Sequence, residues 1–339
     1  MNTMFLSAGA AILSLGLTAL LGKVLIPFLH RLKFGQTIRE DGPTWHQSKS
    51  GTPTMGGLMF ILGTVLAVAI CLPVYYALVM TETALVQVRV IAGLCMAVGY
   101  GVIGFMDDFI SIRHHRNLGL TEWQKLILQF AVAAAYLASV ALAGGSTSTL
   151  IPFVGRVELG WLYYPLAAIL IVGLTNAVNF TDGIDGLNST VTFFVLLALT
   201  VCATLRQQVG LSAVAIAGAA GCVGFLIWNF HPAKVFMGDT GSLFLGGLVG
   251  ALAFGLEMPV LLLPLGVIYW AEILSVVLQV GYFKLTKRKY GEGKRLFRMT
   301  PIHHHFEMKG WSEVKICAVF GLVSLLGGAL AVVCVLVGF

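Results

Sequence analysis

The chain has 339 residues, of which 58% are hydrophobic and only 11% are charged, and its mean hydropathy is +0.91. Soluble domains carry about 25% charged residues, so this composition excludes a soluble globular protein and predicts a polytopic membrane protein. The net charge of +6 suits anionic head groups or anionic substrates at one membrane face.

Apolar stretches of roughly 17 to 25 residues, long enough to cross a bilayer, indicate about ten transmembrane helices in one all-α domain covering residues 1–339. The first stretch begins almost at Met1 without a basic flank, so we expect a retained span and not a cleaved signal peptide. The six cysteines form no Cys-x-x-Cys pair, which argues against a zinc site or a disulfide framework. The predicted spans are 4–29, 55–73, 85–106, 123–142, 161–178, 189–205, 211–230, 241–257, 259–283 and 312–339.

Lysines and arginines are unevenly divided between the two sides of these spans. Only Arg89, Arg156 and Arg206 fall on one side, and Lys23 lies within the first span. The positive-inside rule therefore places the other side in the cytoplasm and both termini outside. The cations on the cytoplasmic side or at its borders are Arg31, Lys33, Arg39, Lys49, Arg113, Arg116, Lys125, Lys234, Lys284, Lys287, Arg288, Lys289, Lys294, Arg295, Arg298, Lys309 and Lys315.

The first cytoplasmic loop, at about residues 30–54, ends in Lys49-Ser50-Gly51-Thr52-Pro53-Thr54. Gly, Thr and Pro before a helix can aim backbone N–H groups and a lysine at a phosphate or uracil oxygen. The alternative is a flexible lead into the second span, with a lysine that extends to the membrane interface. The residues of this run do not by themselves favour ligand binding over a flexible lead.

The third span ends at the adjacent acids Asp107 and Asp108. Carboxylates at a helix C-terminus oppose the helix dipole, so this placement suggests use in function. Two adjacent acids build a magnesium site or a general base when a metal or an ammonium group meets them. The alternative is a solvated loop start.

The segment after the fourth span, residues 144–160, predicts a small external β-hairpin with a structural role. The segment Asn176–Asn188 follows the fifth span and holds the acids Asp182 and Asp185, each followed by glycine. Placing carboxylates at the end of a membrane span costs several kcal/mol of folding free energy unless cations or hydrogen-bond donors contact them. We expect this segment to form the floor of a polar, cation-dependent site.

Two further polar segments fall on the same face. The run Phe236–Ser242 places Asp239 between glycines just before the eighth span, where helix capping by Asp239, Thr240 or Ser242 is the alternative to a ligand role. In the ninth span Pro264 and Gly266 predict a kink, and Glu272 and Gln279 interrupt its apolar sequence. The basic last loop holds His303-His304-His305, which we place in a loop and in reach of phosphates.

Asp107-Asp108, Asn176-x-x-Asn179-x-x-Asp182-Gly-x-Asp185-Gly, Met237-Gly-Asp239-Thr-Gly-Ser and the block around His303–His305 resemble those of the bacterial phospho-N-acetylmuramoyl-pentapeptide transferase family. This family belongs to the polyprenyl-phosphate N-acetylhexosamine-1-phosphate transferase superfamily. The resemblance covers essentially the whole chain. The triple histidine and Lys49-x-Gly-Thr-Pro-Thr indicate this family within the superfamily.

The resemblance implies Mg²⁺-dependent transfer of phospho-MurNAc-pentapeptide from UDP-MurNAc-pentapeptide to undecaprenyl phosphate. The products are lipid I and UMP, at the cytoplasmic face of the bacterial inner membrane during peptidoglycan synthesis. The partners are then the two substrates and membrane lipid, without nucleic acid, and a homodimer is left open.

The resemblance also assigns roles to residues. Asp239 is the main magnesium ligand, Asp107 the base that deprotonates or positions the lipid phosphate, and Asp108 a support for the metal site. Lys49, Asn179, Asp182, Gly183, Asp185 and Phe236 line the nucleoside pocket, with Phe236 stacking on uracil. Asn229, Ser242 and Gln279 reach the diphosphate and sugar, as do His303, His304 and His305, which count with the three aspartates as catalytic. Thr54, Asn176 and Gly238 are further substrate-binding residues.

One departure from the family pattern concerns the lysine that commonly follows the Asp pair by three positions, where this chain has Ser111. Arg113 and Lys125 are both candidates for the missing charge. The sequence also leaves open whether an enzyme carboxylate or the lipid phosphate attacks; we favour direct attack by the lipid phosphate, because charge neutralisation and positioning supply most of the catalysis.

Three other functions agree less well with the sequence. A GlcNAc-1-phosphate transferase of the same superfamily is disfavoured by the triple histidine. A cation-coupled transporter predicts acids near mid-span and an inverted repeat, whereas the acids here lie at the ends of spans. A scaffold without chemistry does not explain acidic motifs recurring on one face.

Overall fold

A computed structural model describes residues 2–32, 49, 51–79, 82–113 and 119–338. The assignments of Lys33, Arg39 and Arg116 to the cytoplasmic side lie outside the described residues. The described part is almost entirely helical, as predicted. Its helices and strands are α1 (Asn2–Arg31), α2 (Gly57–Val79), α3 (Ala84–Arg113), α4 (Glu122–Leu142), β1 (Ser148–Ile151), β2 (Gly155–Glu158), α5 (Tyr163–Phe180), α6 (Leu187–Leu205), α7 (Val209–Asn229), α8 (Gly238–Gly255), α9 (Leu262–Leu265), α10 (Val267–Tyr290), α11 (Ile302–Glu307) and α12 (Glu313–Val337).

The number of spans agrees closely with the expected ten. Across the described ranges, nine helices are long and apolar enough to cross a membrane, namely α1 to α7, α10 and α12. The remaining expected span corresponds to α8, an 18-residue helix that begins with the polar run Gly238–Ser242. Every residue of α8 from Thr240 to Gly255 is buried, so this helix forms the centre of the bundle.

Packing around α8 follows from its glycines and apolar side chains. It contacts α3 and α5, while α7 packs on α1, α2 and α6, and α12 covers α6. Large apolar side chains on the outer helices, such as Ile12, Trp123 and Leu330, are exposed. An apolar exterior on long helices has bilayer lipid as its solvent, and the protein is a multi-pass membrane protein.

The antiparallel pair α3 and α8 sets the geometry of both ends of the bundle. A Cβ atom added at Gly104 would lie 2.1 Å from the carbonyl oxygen of Asp239, so only glycine permits this approach of α3 to the first turn of α8. At the other end, Arg89 near the start of α3 forms an ion pair with Glu257, just after α8. We refer to these as the Asp107 end and the hairpin end.

The predicted external hairpin is present. Strands β1 and β2 pair antiparallel from Ser148 opposite Glu158 to Ile151 opposite Gly155. The hairpin is held on the bundle because the Leu150 N–H donates to the carbonyl oxygen of Glu257 at 2.8 Å.

Three local expectations have clear outcomes. The kink is confirmed as a break at Gly266, between α9 and α10, where the Leu262 carbonyl accepts from the Gly266 N–H at 2.9 Å and from the Trp270 indole N–H at 2.8 Å. The expectation that the third helix ends at the Asp pair is wrong, because α3 continues to Arg113. The triple histidine lies in the short helix α11 and not in a loop.

Candidate active site

Three carboxylates meet at the Asp107 end of the bundle. Asp107 and Asp108 project from α3, and Asp239 projects from the first turn of α8. One oxygen of each lies within 4.8 Å of the others. We call these three residues the carboxylate cluster. Asp107 and Asp239, the members furthest apart in sequence, are separated by 132 positions, and the close packing of α3 on α8 at Gly104 brings them together.

An ammonium group lies between two of these carboxylates. The Nζ atom of Lys125, on α4, is 2.9 Å from Asp107 Oδ2 and 3.1 Å from Asp239 Oδ2. The sequence left the cation that replaces a lysine at Ser111 open between Arg113 and Lys125, and the structure places Lys125 there. With three carboxylates and one ammonium, the cluster keeps an excess of negative charge.

Asp108 differs from its two neighbours because it caps a helix. Its carboxylate accepts hydrogen bonds from the backbone N–H groups of Asp239 and Thr240, and from the Thr240 hydroxyl at 2.7 Å. These are otherwise unsatisfied donors of the first turn of α8. The helix cap that the sequence analysis sought within residues 239–242 therefore comes from α3.

Helix α5 completes one wall of the site with its last turns. Asn179 Nδ2 donates to Asp239 Oδ1 at 2.9 Å and to Ser242 Oγ at 2.8 Å. One turn earlier, Asn176 Nδ2 donates to the buried Gln129 side chain on α4 at 2.7 Å. Gln129 follows Lys125 by four positions, so both face the site from one side of α4.

Backbone hydrogen bonds join the residues just before α2, which follow Lys49 in the chain, to the segment between α7 and α8 that ends at Gly238. The Phe236 N–H donates to the Pro53 carbonyl at 2.8 Å, and the Gly56 N–H returns a bond to the Phe236 carbonyl at 2.8 Å. A Cβ atom at Gly238, which has φ +70°, would lie 2.4 Å from Asp108 Oδ2 and 2.7 Å from Thr54 Oγ1. Glycine is thus required by the backbone conformation and by the space.

The acidic segment after α5 contacts the Lys49 loop and the histidine helix. Lys49 Nζ lies 2.8 Å from Asp185 Oδ1. A Cβ atom at Gly183 would lie 2.1 Å from Nε2 of His303. Lys49 and Asp185, which the resemblance places at the donor nucleotide, are therefore in direct contact, and Gly183 adjoins His303.

Burial, together with the charges of Asp239, Asp108 and Asp185, raises the pKa of Asp182 well above its usual range. Part of the Asp182 side chain still reaches solvent at the rim of the site, but the carboxyl group is surrounded by protein and by like charges. A ligand that brings hydrogen-bond donors or positive charge would favour its ionised form.

The three histidines of α11 face different partners. Nδ1 of His303, which is buried, lies 3.1 Å from Oε2 of the buried Glu272, while Nε2 of His303 and Oε1 of Glu272 make no hydrogen bond to any described residue. Nδ1 of His304 lies 2.6 Å from Glu307 Oε2. Nδ1 of His305 accepts from the Arg298 N–H at 3.1 Å. Only His303 thus presents a buried ring nitrogen, without a partner, to the Gly183 segment.

Two predicted ligand residues hold backbone segments in place. Asn229 is buried, accepts from the Gly186 N–H at 3.2 Å and donates to the Val235 carbonyl at 2.9 Å. Gln279 accepts from the N–H groups of Leu296 and Phe297, each at 2.9 Å. Both amides support loops that border the site, and their direct contact with substrate stays a prediction, as does the stacking of Phe236 on uracil.

Four residues at or near the site had no role predicted from the sequence, namely Gln129, His231, Glu272 and Glu313. Glu272 carried a visible signal, a carboxylate in an apolar span. Gln129, His231 and Glu313 carried none, because their partners are distant in sequence and only the packing of the helices brings them together.

Comparison with known proteins supports the resemblance. Residues 90–257 match the profile of Glycosyl transferase family 4, and residues 49–61 match signature 1 of phospho-N-acetylmuramoyl-pentapeptide-transferase. The chain is 46% identical to the phospho-N-acetylmuramoyl-pentapeptide-transferase of Desulfitobacterium hafniense over 97% of both chains. It is 44% identical to that of Halalkalibacterium halodurans over 95% of both chains. The chain therefore belongs to the phospho-N-acetylmuramoyl-pentapeptide-transferase family of membrane-embedded phosphoglycosyl transferases.

Proposed function

We propose that this protein transfers phospho-MurNAc-pentapeptide from UDP-MurNAc-pentapeptide to undecaprenyl phosphate, with lipid I and UMP as products. The observation that carries the proposal is the convergence of the carboxylate cluster, Lys125 and the Lys49–Asp185 pair at one end of a family member. We place this end at the cytoplasmic face of the bacterial inner membrane, with both termini outside, because most loop cations fall on that side of the spans.

The donor set at the carboxylate cluster fits Mg²⁺. Its ligand atoms are carboxylate oxygens, which hard cations prefer, and three carboxylates against one ammonium leave a charge that a divalent ion would balance. Asp108 already accepts three hydrogen bonds from α8. Asp239 and Asp107 would therefore hold the ion, with Asp108 in support. When bound, Mg²⁺ neutralises charge on the diphosphate and on the leaving UMP.

Asp107 is suited to receive or orient the lipid phosphate at the reacting end. The Lys125 ammonium, 2.9 Å from Asp107 Oδ2, favours the ionised carboxylate. The Leu120 N–H donates to Asp107 Oδ1 at 2.7 Å and fixes its orientation. An ionised, oriented carboxylate can accept the proton of the acceptor phosphate.

The reaction in this arrangement is a direct displacement. An oxygen of undecaprenyl phosphate attacks the phosphorus that carries the sugar, and the bond from that phosphorus to the bridging oxygen breaks. UMP leaves with the bonding electrons. Asn179, which donates to Asp239 and to Ser242, keeps the Asp239 carboxylate directed into the site during this exchange.

The decisive test is Asp239→Ala in the purified full-length protein, assayed for UMP release with both substrates and Mg²⁺. We expect a rate loss of about a thousandfold or more, because the main charge that holds the diphosphate is removed. Glu257→Gln at the hairpin end is the matched control, with activity close to that of the parent protein. Retained turnover in Asp239→Ala would refute the assignment.

A second assay separates this proposal from the other transferase of the superfamily. UDP-GlcNAc is added in excess to the reaction with UDP-MurNAc-pentapeptide. We expect no inhibition and no GlcNAc-containing lipid product. Efficient transfer from UDP-GlcNAc would favour the alternative.

A further inference from the structure

A second group of charged side chains lies beside the carboxylate cluster. It consists of Lys49, Asp185, His231 and Glu313, which we call the Lys49 cluster. Lys49 Nζ lies 2.8 Å from Asp185 Oδ1, and 2.6 Å and 2.7 Å from the two oxygens of Glu313. Asp185 Oδ2 lies 3.0 Å from Nδ1 of His231. Asp185 is almost fully buried and Glu313 is about one-tenth exposed, so these contacts are shielded from solvent.

The Lys49 cluster joins four parts of the chain that are far apart in sequence. Lys49 precedes α2, Asp185 lies between α5 and α6, and His231 follows α7. Glu313 is the first residue of α12, and its carboxylate also accepts the Asp185 backbone N–H at 2.9 Å. Glu313 therefore holds Lys49 through its side chain and Asp185 through its backbone.

Asp185, His231 and Glu313 could in isolation hold a metal ion, since their ligand atoms lie within 4.8 Å of one another. The Lys49 ammonium makes short contacts with the two carboxylates and already supplies the positive charge there. The carboxylates of this group are therefore better described as side chains that hold the Lys49 ammonium in place.

We propose that Glu313 is a positioning residue of the donor-nucleotide site, which fixes the Lys49 ammonium and the Asp185 backbone so that both are preorganised for the nucleotide. This inference rests on the proposed function, which places Lys49 and Asp185 at the nucleotide. Glu313 is not a member of the carboxylate cluster, where the reacting phosphates are proposed to bind. Its loss weakens donor binding more than the chemical step, because preorganisation lowers the cost of binding.

The test compares Glu313→Gln, Lys49→Met and the double variant with the parent full-length protein. KM is measured separately for UDP-MurNAc-pentapeptide and undecaprenyl phosphate. Calorimetry with UMP, without lipid acceptor, measures nucleotide affinity directly. We expect Glu313→Gln to raise the donor KM and weaken UMP binding about tenfold, while kcat and the acceptor KM stay within about twofold.

Non-additive effects of the Glu313 and Lys49 variants on the donor KM would distinguish a positioning role of Glu313 from a role in general stability. If Glu313 acts through Lys49, Glu313→Gln adds less than about twofold to the donor KM in the Lys49→Met background. Glu313→Asp keeps the charge on a shorter side chain, so its donor KM should rise less than that of Glu313→Gln but remain above that of the parent protein. Glu257→Gln, which breaks another ion-pair group, is the control for general destabilisation and should leave the donor KM unchanged.

An unchanged donor KM in Glu313→Gln, an equal loss in kcat, or effects of the two single variants that multiply would each overturn the inference. If thermal unfolding shows that Glu313→Gln does not fold, Glu313→Asp carries the test through a donor-only rise in KM, and its absence counts against the inference. Failure of the parent protein to release UMP refutes the proposed function instead. UMP calorimetry on Glu313→Gln still decides the role of Glu313 in that case.

Discussion

The two ends of the α3–α8 pair carry charge clusters of opposite design. At the hairpin end, Arg89 and Arg156 both contact Glu257, and every charge has a partner. At the Asp107 end, three carboxylates share one lysine. Burial raises the pKa of Glu257, but the hydrogen bonds and charges of the two arginines outweigh it, and the net pKa is lowered. The difference teaches that a cluster whose carboxylate is fully paired with cations stabilises the fold, whereas a cluster with more carboxylates than cations, called here the unbalanced cluster, is prepared for a cationic ligand.

The largest expected effect comes from removing the cation of the unbalanced cluster. Lys125→Met should lower kcat by about a hundredfold or more, because Asp107 and Asp239 lose the charge that holds them in place. The half-saturating Mg²⁺ concentration should fall at the same time, since the cluster becomes more negative. Steady-state UMP release over a Mg²⁺ titration measures both quantities.

Arg113→Met is the matched control for Lys125→Met. Arg113 is an exposed cation at the end of α3, and it was the other sequence candidate for the charge missing at Ser111. We expect its loss to change kcat by less than about threefold. Equal losses in the two variants would contradict the bridging role of Lys125.

A smaller effect, on stability alone, is expected at the hairpin end. Glu257→Gln leaves the buried Arg89 without its carboxylate partner. We expect a loss of about 2 kcal/mol of unfolding free energy, below the range for fully buried pairs because Arg156 is half exposed. Thermal unfolding in detergent measures the loss, and UMP release measured in parallel should remain near that of the parent protein. A large loss of kcat would show that the hairpin end takes part in catalysis.

The smallest effect concerns Asp182, a further carboxylate near the unbalanced cluster. Because the folded-state pKa of Asp182 is raised, its ionisation costs stability above the unfolded-state pKa of about 3.9, and the cost grows up to the folded-state pKa. Asp182→Asn should therefore raise Tm by about 2 °C at pH 8, with a smaller gain at pH 5. The same variant should lose donor affinity.

Thermal unfolding with EDTA, at both pH values, measures the effect of Asp182→Asn without bound metal. A Tm gain that does not depend on pH, or a loss of Tm at pH 8, would contradict the cause given for the raised pKa. Loss of activity with a gain in Tm would show that stability is given up for function at this end of the bundle.

The sequence was sufficient for the helices and the hairpin, because span length and apolar composition are local properties. It misjudged the end of α3, since Asp107 and Asp108 look like residues that leave the membrane. In the structure Lys125 and the N-terminus of α8 satisfy these acids. Because these partners stabilise the two carboxylates, the helix can continue past them. The partners are distant in sequence, so no local sequence pattern predicts this.

The gathering of the acidic motifs at one end was also predictable, since the charge bias and the span count put them on one face. The partners that complete the site were not. Lys125 was one of two candidates for the missing charge, and the sequence did not favour it over Arg113. Glu313 is one of 15 acids, and nothing near it in sequence marks it. Their roles depend on which helices pack together, and a single sequence does not report that packing.

The seat of α3 on α8 has a mechanical consequence. Asp108 holds the start of α8 by its backbone donors, and Arg89 holds Glu257 just beyond the other end of that helix. Sliding the two helices past each other by one turn, about 5.4 Å, would break both attachments together. The two helices are thus fixed against sliding, so we expect any movement that accompanies binding of a long lipid acceptor in other segments, such as α10 beyond its break at Gly266.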